Sequence, residues 1–504
     1  MAHTGHGTDM NRRTLLAATA GGASLLAGCL GADDDAETDP GSDPEPDDDP
    51  SESDSESASR DDPELPAFDE PSVVDFETAP LTAAVVGGRI RTDDRLEVGL
   101  EFAAPATEES PATLTVAVRN GMSYEQPFQP RRLVAFDDPT TGRTAGRETV
   151  YLAPAKDHPL AETSPDYARD DDGRWRLESV DGDWFPETIT LAGEETVVGE
   201  HYLLGHHARD EPPIDVGRYD FRWRGRGFTI AVWETDAPGP DGTSIFDGAS
   251  VPDLPTEDEL AWYHEATPAT EAYLEPDVES VTAPAKVSFS LVNHSRESMG
   301  GNPYRWRLYK LEDEAWFPIA PWEWVQPYAT VEPGGVDETA LFLYDGEPID
   351  RRGERTVGHL GGGRYAYTVD YSRDGETHAA MVDLEAPSLE VEPEADATIE
   401  DEGETIVVEL PNYEDARRPA TVTVTRADAD VEDVDERLLP EQLPRRPFRS
   451  LRNAIPLFDD GVKTVRVKTD RGTALRQFGY EEGERRTVAY EGRTFEATGA
   501  LEES

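Results

Sequence analysis

Apolar and polar residues alternate along most of this chain. From Leu81 onward the sequence breaks into short segments of period two, bounded by Gly, Pro, Asp and Asn. That is the pattern of half-buried β-strands. Leu114-Thr-Val-Ala-Val-Arg-Asn120 and Val287-Ser-Phe-Ser-Leu-Val-Asn293 are its clearest examples. In such a segment every second side chain faces the same way, so each sheet has an apolar face that needs a cover. A chain of 504 residues is too long for one core, and the expectation is an all-β protein of roughly two to four domains.

Two stretches break the alternation. Asn11 to Cys29 carries a twin arginine (Arg12, Arg13), then an apolar run of small residues, then Leu26-Ala27-Gly28-Cys29. The run is shorter than the ~20 residues that span a bilayer, and it suits the core of a signal peptide. The arginine pair followed by Leu15 and Leu16 resembles the signal of the twin-arginine export pathway. Leu-Ala-Gly-Cys resembles a lipobox, which implies lipid attachment at Cys29, the one cysteine of the chain. Residues 30–72 are Asp, Glu, Pro and Ser with almost no apolar content. Such a segment cannot offset its ordering entropy, so a disordered acidic linker is expected.

An internal repeat organises the chain beyond the linker. Trp175-Arg-Leu-Glu178 with Trp184-Phe-Pro186 recurs as Trp306-Arg-Leu-Tyr309 with Trp316-Phe-Pro318. Each copy comes after a strand ending in asparagine (Asn120, Asn293) and precedes Gly-Arg-Tyr (Gly217 to Tyr219, Gly363 to Tyr365). The first copy is longer between its asparagine and its first tryptophan. The second copy, with Leu-Val-Asn293-His-Ser, Gly301-Asn-Pro-Tyr304 and the Pro333-Gly334 turn, resembles an immunoglobulin-like β-sandwich of bacterial and archaeal surface lipoproteins. The resemblance implies a fold and a surface setting and brings no catalytic residues. The expected layout is a signal peptide with lipobox (1–29), the linker (30–72), a β-sandwich with an insertion (73–249), a helical connector (250–270), an immunoglobulin-like sandwich (271–387) and a β-rich third domain (388–504). Thr256 with Glu259 reads as a capping box opening the connector helix. The third domain reads as sandwich-like, with a partly helical stretch from Glu436 to Phe458.

Charge narrows the partners. The chain holds 106 acidic and 46 basic residues, a formal net charge of −60. Nucleic acid and anionic membrane faces are therefore poor direct partners. Residues 32–70 hold 18 carboxylates and one arginine, so most of the deficit lies in the β-rich part. Dense carboxylates with only five lysines (Lys156, Lys286, Lys310, Lys463, Lys468) resemble proteins of extremely halophilic archaea. Molar salt, with a Debye length of about 3 Å, screens that self-repulsion.

Candidate sites are few. Trp322 and Trp324, if extended, share one side and form a ligand platform for a sugar ring or a partner. Arg445, Arg446, Arg449 and Arg452 form a basic cluster, read as a partner contact or as pairing with carboxylates of a neighbouring domain. Asn293-His-Ser295 is an N-glycosylation acceptor, with a turn role for the asparagine as the alternative. His201, His206 and His207 are the densest histidine group, with 201 and 207 on one strand face. No catalytic motif, metal-ligand spacing or cofactor fingerprint is present. The reading is a non-enzymatic, lipid-anchored surface protein for binding, adhesion or an envelope role, with a surface protein or glycan as partner. The competing readings are an extracytoplasmic hydrolase or metal-binding accessory protein using the 120–210 insertion, and a subunit docked to a membrane complex through the arginines.

Overall fold

A computed structural model describes Phe68 and residues 72–501, apart from positions 138, 172, 181–182, 209–213, 350, 374, 428–433 and 477–483. The export signal, Cys29 and nearly all of the acidic linker lie outside the described residues. Strands account for 47% of the chain and helices for 5%, so the class is all-β. No helix among the described residues is long and apolar enough to cross a membrane. Three large apolar cores lie within Asp61–Ser504, drawn from residues 76–232, 263–384 and 408–497.

The first two domains repeat one sandwich. Ala112–Asn120 lies between Leu96–Ala104 and Thr196–Gly205, as Ala285–Asn293 lies between Ala272–Pro276 and Val336–Leu343. Gly217–Trp223 pairs with Arg226–Glu234, as Gly363–Arg373 pairs with Glu376–Glu385, but only in the second domain is this a separate sheet; in the first, Thr149–Pro154 also pairs with Thr196–Gly205 and joins the strands into one continuous sheet. Alternation decides the faces: Val287, Phe289 and Leu291 are buried while Lys286, Ser288 and Ser290 are open to varying degrees. Both Gly-Arg-Tyr motifs end as corners. Tyr219 donates its hydroxyl to the Asp215 carbonyl at 2.9 Å, and Tyr365 to Gly361 at 2.6 Å, each four residues upstream. That bond is a hallmark of immunoglobulin-like sandwiches.

The double-tryptophan match does not mark equivalent positions. The partner of Gly363–Arg373 is the hairpin Arg307–Glu312 with Ala315–Ala320. Its counterpart in the first domain is Thr140–Arg143 with Thr149–Pro154, which meets Gly217–Trp223. Trp175 instead starts the short strand Trp175–Leu177, beside Tyr167–Arg169, in added material that comes after the hairpin. Aromatic residues recur because both cores need bulk, and recurrence alone does not fix register.

The helical connector is also corrected. Glu259–Trp262 is a strand running parallel to Glu376–Glu385, followed by a single 3-10 turn, Tyr263–Glu265. The Thr256 hydroxyl accepts the Asp258 amide at 3.2 Å, a local turn in place of a helix cap. The strand wins because Phe246, Leu254 and partly buried Trp262 cover the outer apolar face formed by Tyr309, Trp316, Ala366 and Met381. The third domain is one seven-stranded mixed sheet and not a sandwich. Its core face is covered by the helical turns between Arg446 and Leu457 and by Arg471–Arg476, through Phe448, Leu451, Ile455 and Ala474.

Two seams fix the order of the domains. At the first, the turn at Gly334 (φ +70°) enters a hollow of small side chains, Ala84 and Ala231, beside Trp233; a Cβ there would lie 2.6 Å from that of Ala231. His294 stacks on Trp233 with ring centroids 5.0 Å apart, Gly87 N–H donates to Glu332 at 2.8 Å, and Arg296 pairs with Asp75. At the second, Lys310 Nζ lies 2.5 Å from Glu441 Oε1, both buried, and Gly361 N–H donates to the same oxygen at 3.1 Å.

Candidate ligand cleft at the second seam

The cis Ala320-Pro321 peptide ends the second-domain hairpin, and the chain then runs irregularly to Pro327. Trp322 and Trp324 do not form the expected platform. Trp322 turns toward the third domain, its Nε1–H donating to the Ile319 carbonyl at 3.0 Å and its ring meeting Phe448 edge-on, centroids 5.2 Å apart. Trp324 is half-buried with the Arg307 guanidinium 3.8 Å from its ring centroid. Extended backbone would align the two rings, but the pull of a second apolar core separates them. The open aromatic surface belongs to Tyr304 and Tyr328, 55% and 77% exposed, which the tryptophan-led reading missed.

The arginine cluster divides as well. Arg449 grips Glu394 with two bonds of 2.6 Å, and Arg452 donates to the Glu392 carbonyl at 3.1 Å, so both tie the start of the third domain to its own helical turn. Neither is free for an outside partner. Arg445 spans the seam, donating to the carbonyls of Glu441 at 2.9 Å and Gly358 at 2.7 Å. Enclosure of its guanidinium lowers its pKa to about 10. Arg446 reaches Glu323 of the second domain at 3.3 Å.

What the structure brings together is Trp322, Arg445 and Arg446. With Arg476, Arg486, Glu323, Glu436, Phe448 and three neighbouring apolar residues they line a cleft of about 560 Å³. Arg476 also pairs with Glu323, and Arg486 lies 3.6 Å from Glu436. Burial raises the pKa of Glu436, with Arg486 working against the rise. Four guanidinium groups thus meet two carboxylates beside an aromatic wall. Arg476 and Arg486 are far from the cluster in sequence, and only the pairing of Arg485–Tyr490 within the third-domain sheet delivers Arg486 to this edge. The arrangement suits a ligand with an anionic group on an apolar ring: the fork geometry of arginine matches a carboxylate or sulfate, and the indole supplies a flat face.

Asn293 is not a glycan acceptor. It is fully buried, its Nδ2 donates to the carbonyls of Glu297 at 2.8 Å and Val331 at 2.9 Å, and its Oδ1 accepts from Ser295 N–H and Oγ–H. Asn120 does the same work in the first domain, toward Tyr124, Leu191 and Ala192. The histidines do not converge either. His201 lies in the first core, its ring 4.7 Å from that of His158, whereas His206 and His207 stack beside Tyr151 past the end of the strand. Among the described residues no group of three or more His, Cys, Asp or Glu is placed to hold a metal ion.

No family model and no curated protein matches this chain. Among solved structures, the native conformation of E. coli alpha-2-macroglobulin is similar at 10% identity, with a TM-score of 0.13, over 69% of this chain and 20% of that one. A likeness that weak carries no argument about fold or activity.

Proposed function

We propose that this protein is a lipid-anchored, non-enzymatic binding protein of the cell surface, and that its second seam binds acidic saccharides. The observation that carries the reading is the cleft: four arginines gathered around Trp322 in a chain of formal charge −60. An acidic saccharide offers a carboxylate or sulfate to Arg446 and Arg486 and a sugar face to the indole. Molar salt screens the repulsion from the rest of the molecule while leaving contact-range hydrogen bonds and stacking in place. The seams support a display role, since they hold the cleft in place relative to the neighbouring sandwiches. The twin arginine Arg12-Arg13 and Cys29 supply export and anchoring, and the acidic stretch supplies reach.

Two experiments test this. Titration of the full chain carrying Cys29→Ser, in molar salt, with oligoglucuronate or a sulfated oligosaccharide should show binding that Arg486→Glu and Trp322→Ala each weaken at least tenfold. Equal binding by the variants removes the cleft from the proposal. In cells, Cys29→Ser should leave the protein unlipidated and move it from the membrane fraction to the medium or leave its signal uncleaved. Retention on the membrane after signal removal would place the anchor elsewhere.

A further inference from the structure

Comparison of the two sandwiches within this one chain exposes a second cleft. In the second domain the short strand Met299–Gly301 pairs with Ala329–Val331 and also reaches across to Gly363–Arg373, through Gly300 and Ser372. That bridge closes the end of the sandwich. In the first domain the equivalent strand, Gln126–Phe128, pairs with Ile189–Leu191 alone and stands off from Gly217–Trp223. The space left open is a cleft of about 870 Å³, a size that takes a drug-sized ligand or a short oligosaccharide.

Its lining is built for an amphipathic guest. Ile90, Leu96, Phe128 and Leu133 are buried and give it an apolar floor. Trp223 stands half-exposed on the wall, with Arg224 4.5 Å from its ring centroid. Gln126 donates Nε2–H to the Asp94 carbonyl at 3.1 Å, which fixes the amide and leaves its buried Oε1 with no donor. A buried acceptor without a donor is costly unless a guest supplies one. The lining carries three arginines and two aspartates, of which Asp93 pairs with Arg226 at 2.5 Å while Arg224 lies on Trp223.

We infer that the first domain carries a separate binding site for a neutral saccharide, with Trp223 stacking on the ring and Gln126 Oε1 accepting a hydroxyl. A pure hydrocarbon would leave the Gln126 acceptor unmet. An anion would find fewer cations than the four at the second seam, with Arg226 already held by Asp93 and Arg224 on Trp223. This site is independent of the arginine cleft.

Saturation-transfer NMR of the full Cys29→Ser chain in molar salt, with maltotriose, mannotriose and chitotriose as probes, tests the inference. At least one should bind with a Kd no weaker than about 20 mM. Gln126→Leu and Trp223→Ala, each checked for an unchanged circular dichroism spectrum, should weaken that binding tenfold or more, while Arg486→Glu should leave it unaltered. Absence of binding by all three probes overturns the inference. So does binding that survives both first-domain variants, or that is lost in Arg486→Glu.

Discussion

Acidification should loosen the first domain through His158. Its imidazole lies over Gly199, where any Cβ would come within 2.2 Å of Nε2, and is packed among Phe136, Phe185 and His201. Nδ1 accepts the Leu160 amide at 3.1 Å, and Nε2 has no partner. Burial pushes its pKa down to about 4 from an ordinary 6.5. The native state therefore binds fewer protons than the unfolded chain. Stability attributable to this group is intact above pH 6.5, falls as the pH drops below that, and is fully lost below about pH 4. At pH 5 the loss is about 2 kcal/mol. His201 acts in the same direction, because burial and then a charge on His158 hold it well below its usual value. His378, lowered to about 4, and His294 and His359 also weaken the second domain in acid, while Glu275 and Asp337 oppose them. The assay must therefore be local. Hydrogen exchange of Thr149–Pro154 and Thr196–Gly205 in molar salt should show protection dropping between pH 7 and pH 5, after correction for intrinsic rates. His158→Asn keeps an acceptor for Leu160 and removes the titration, so it should recover about 2 kcal/mol of that drop. The same pH slope in wild type and variant would refute the assignment.

Other outcomes concern the seams and turns. Gly334→Ala should cost about 1–3 kcal/mol and separate the first two domains, visible as a longer scattering profile, whereas Gly353→Ala, at φ +83° with nothing nearby, should cost only its backbone strain and leave the profile unchanged. Lys310→Met should destabilise the second seam by about 3–5 kcal/mol in chemical denaturation, because Glu441 is left buried without its cation, and Lys310→Met with Glu441→Leu should restore much of it. Mass spectrometry of the native protein should find Asn293 unmodified, and Asn293→Ala should destabilise the second sandwich by about 2–4 kcal/mol through its abandoned carbonyls.

Much of the fold could be read directly from the chain. The strands around Asn120 and Asn293 have clean period-two alternation, and a sheet with one buried face enforces that period strictly. The corner tyrosines were visible as Gly-Arg-Tyr, although their hydrogen bonds were not. Three readings failed for one shared reason: tertiary packing outweighed a local signal. The Thr256 capping box yielded to an exposed sheet face that needed cover. The tryptophan repeat misled because bulk recurs in any sandwich. The acceptor sequence at Asn293 said nothing about burial. The first-domain cleft had no signature at all, since it arises from a strand pairing that is missing.

The different edge pairing of the two sandwiches can be traced to a handful of backbone positions. In the second domain Gly301 sits so close to the Asp370 carbonyl that no Cβ could be accommodated, and Asp370 also accepts the Asn302 amide at 3.1 Å and pairs with Arg305 at 2.7 Å. Those contacts hold the short strand against its neighbour. The corresponding segment of the first domain, Gln126-Pro-Phe-Gln-Pro130, has no glycine to allow such an approach, and its prolines cannot donate to a ladder. The two sandwiches therefore differ in how this edge strand is paired. Replacing Pro127 and Phe128 by glycine should let the first-domain strand close toward Gly217–Trp223, reducing the cleft without disturbing the Asn120 turn. A crystal structure of that variant with the 870 Å³ cleft unchanged would show that side-chain bulk, and not backbone approach, keeps the first domain open.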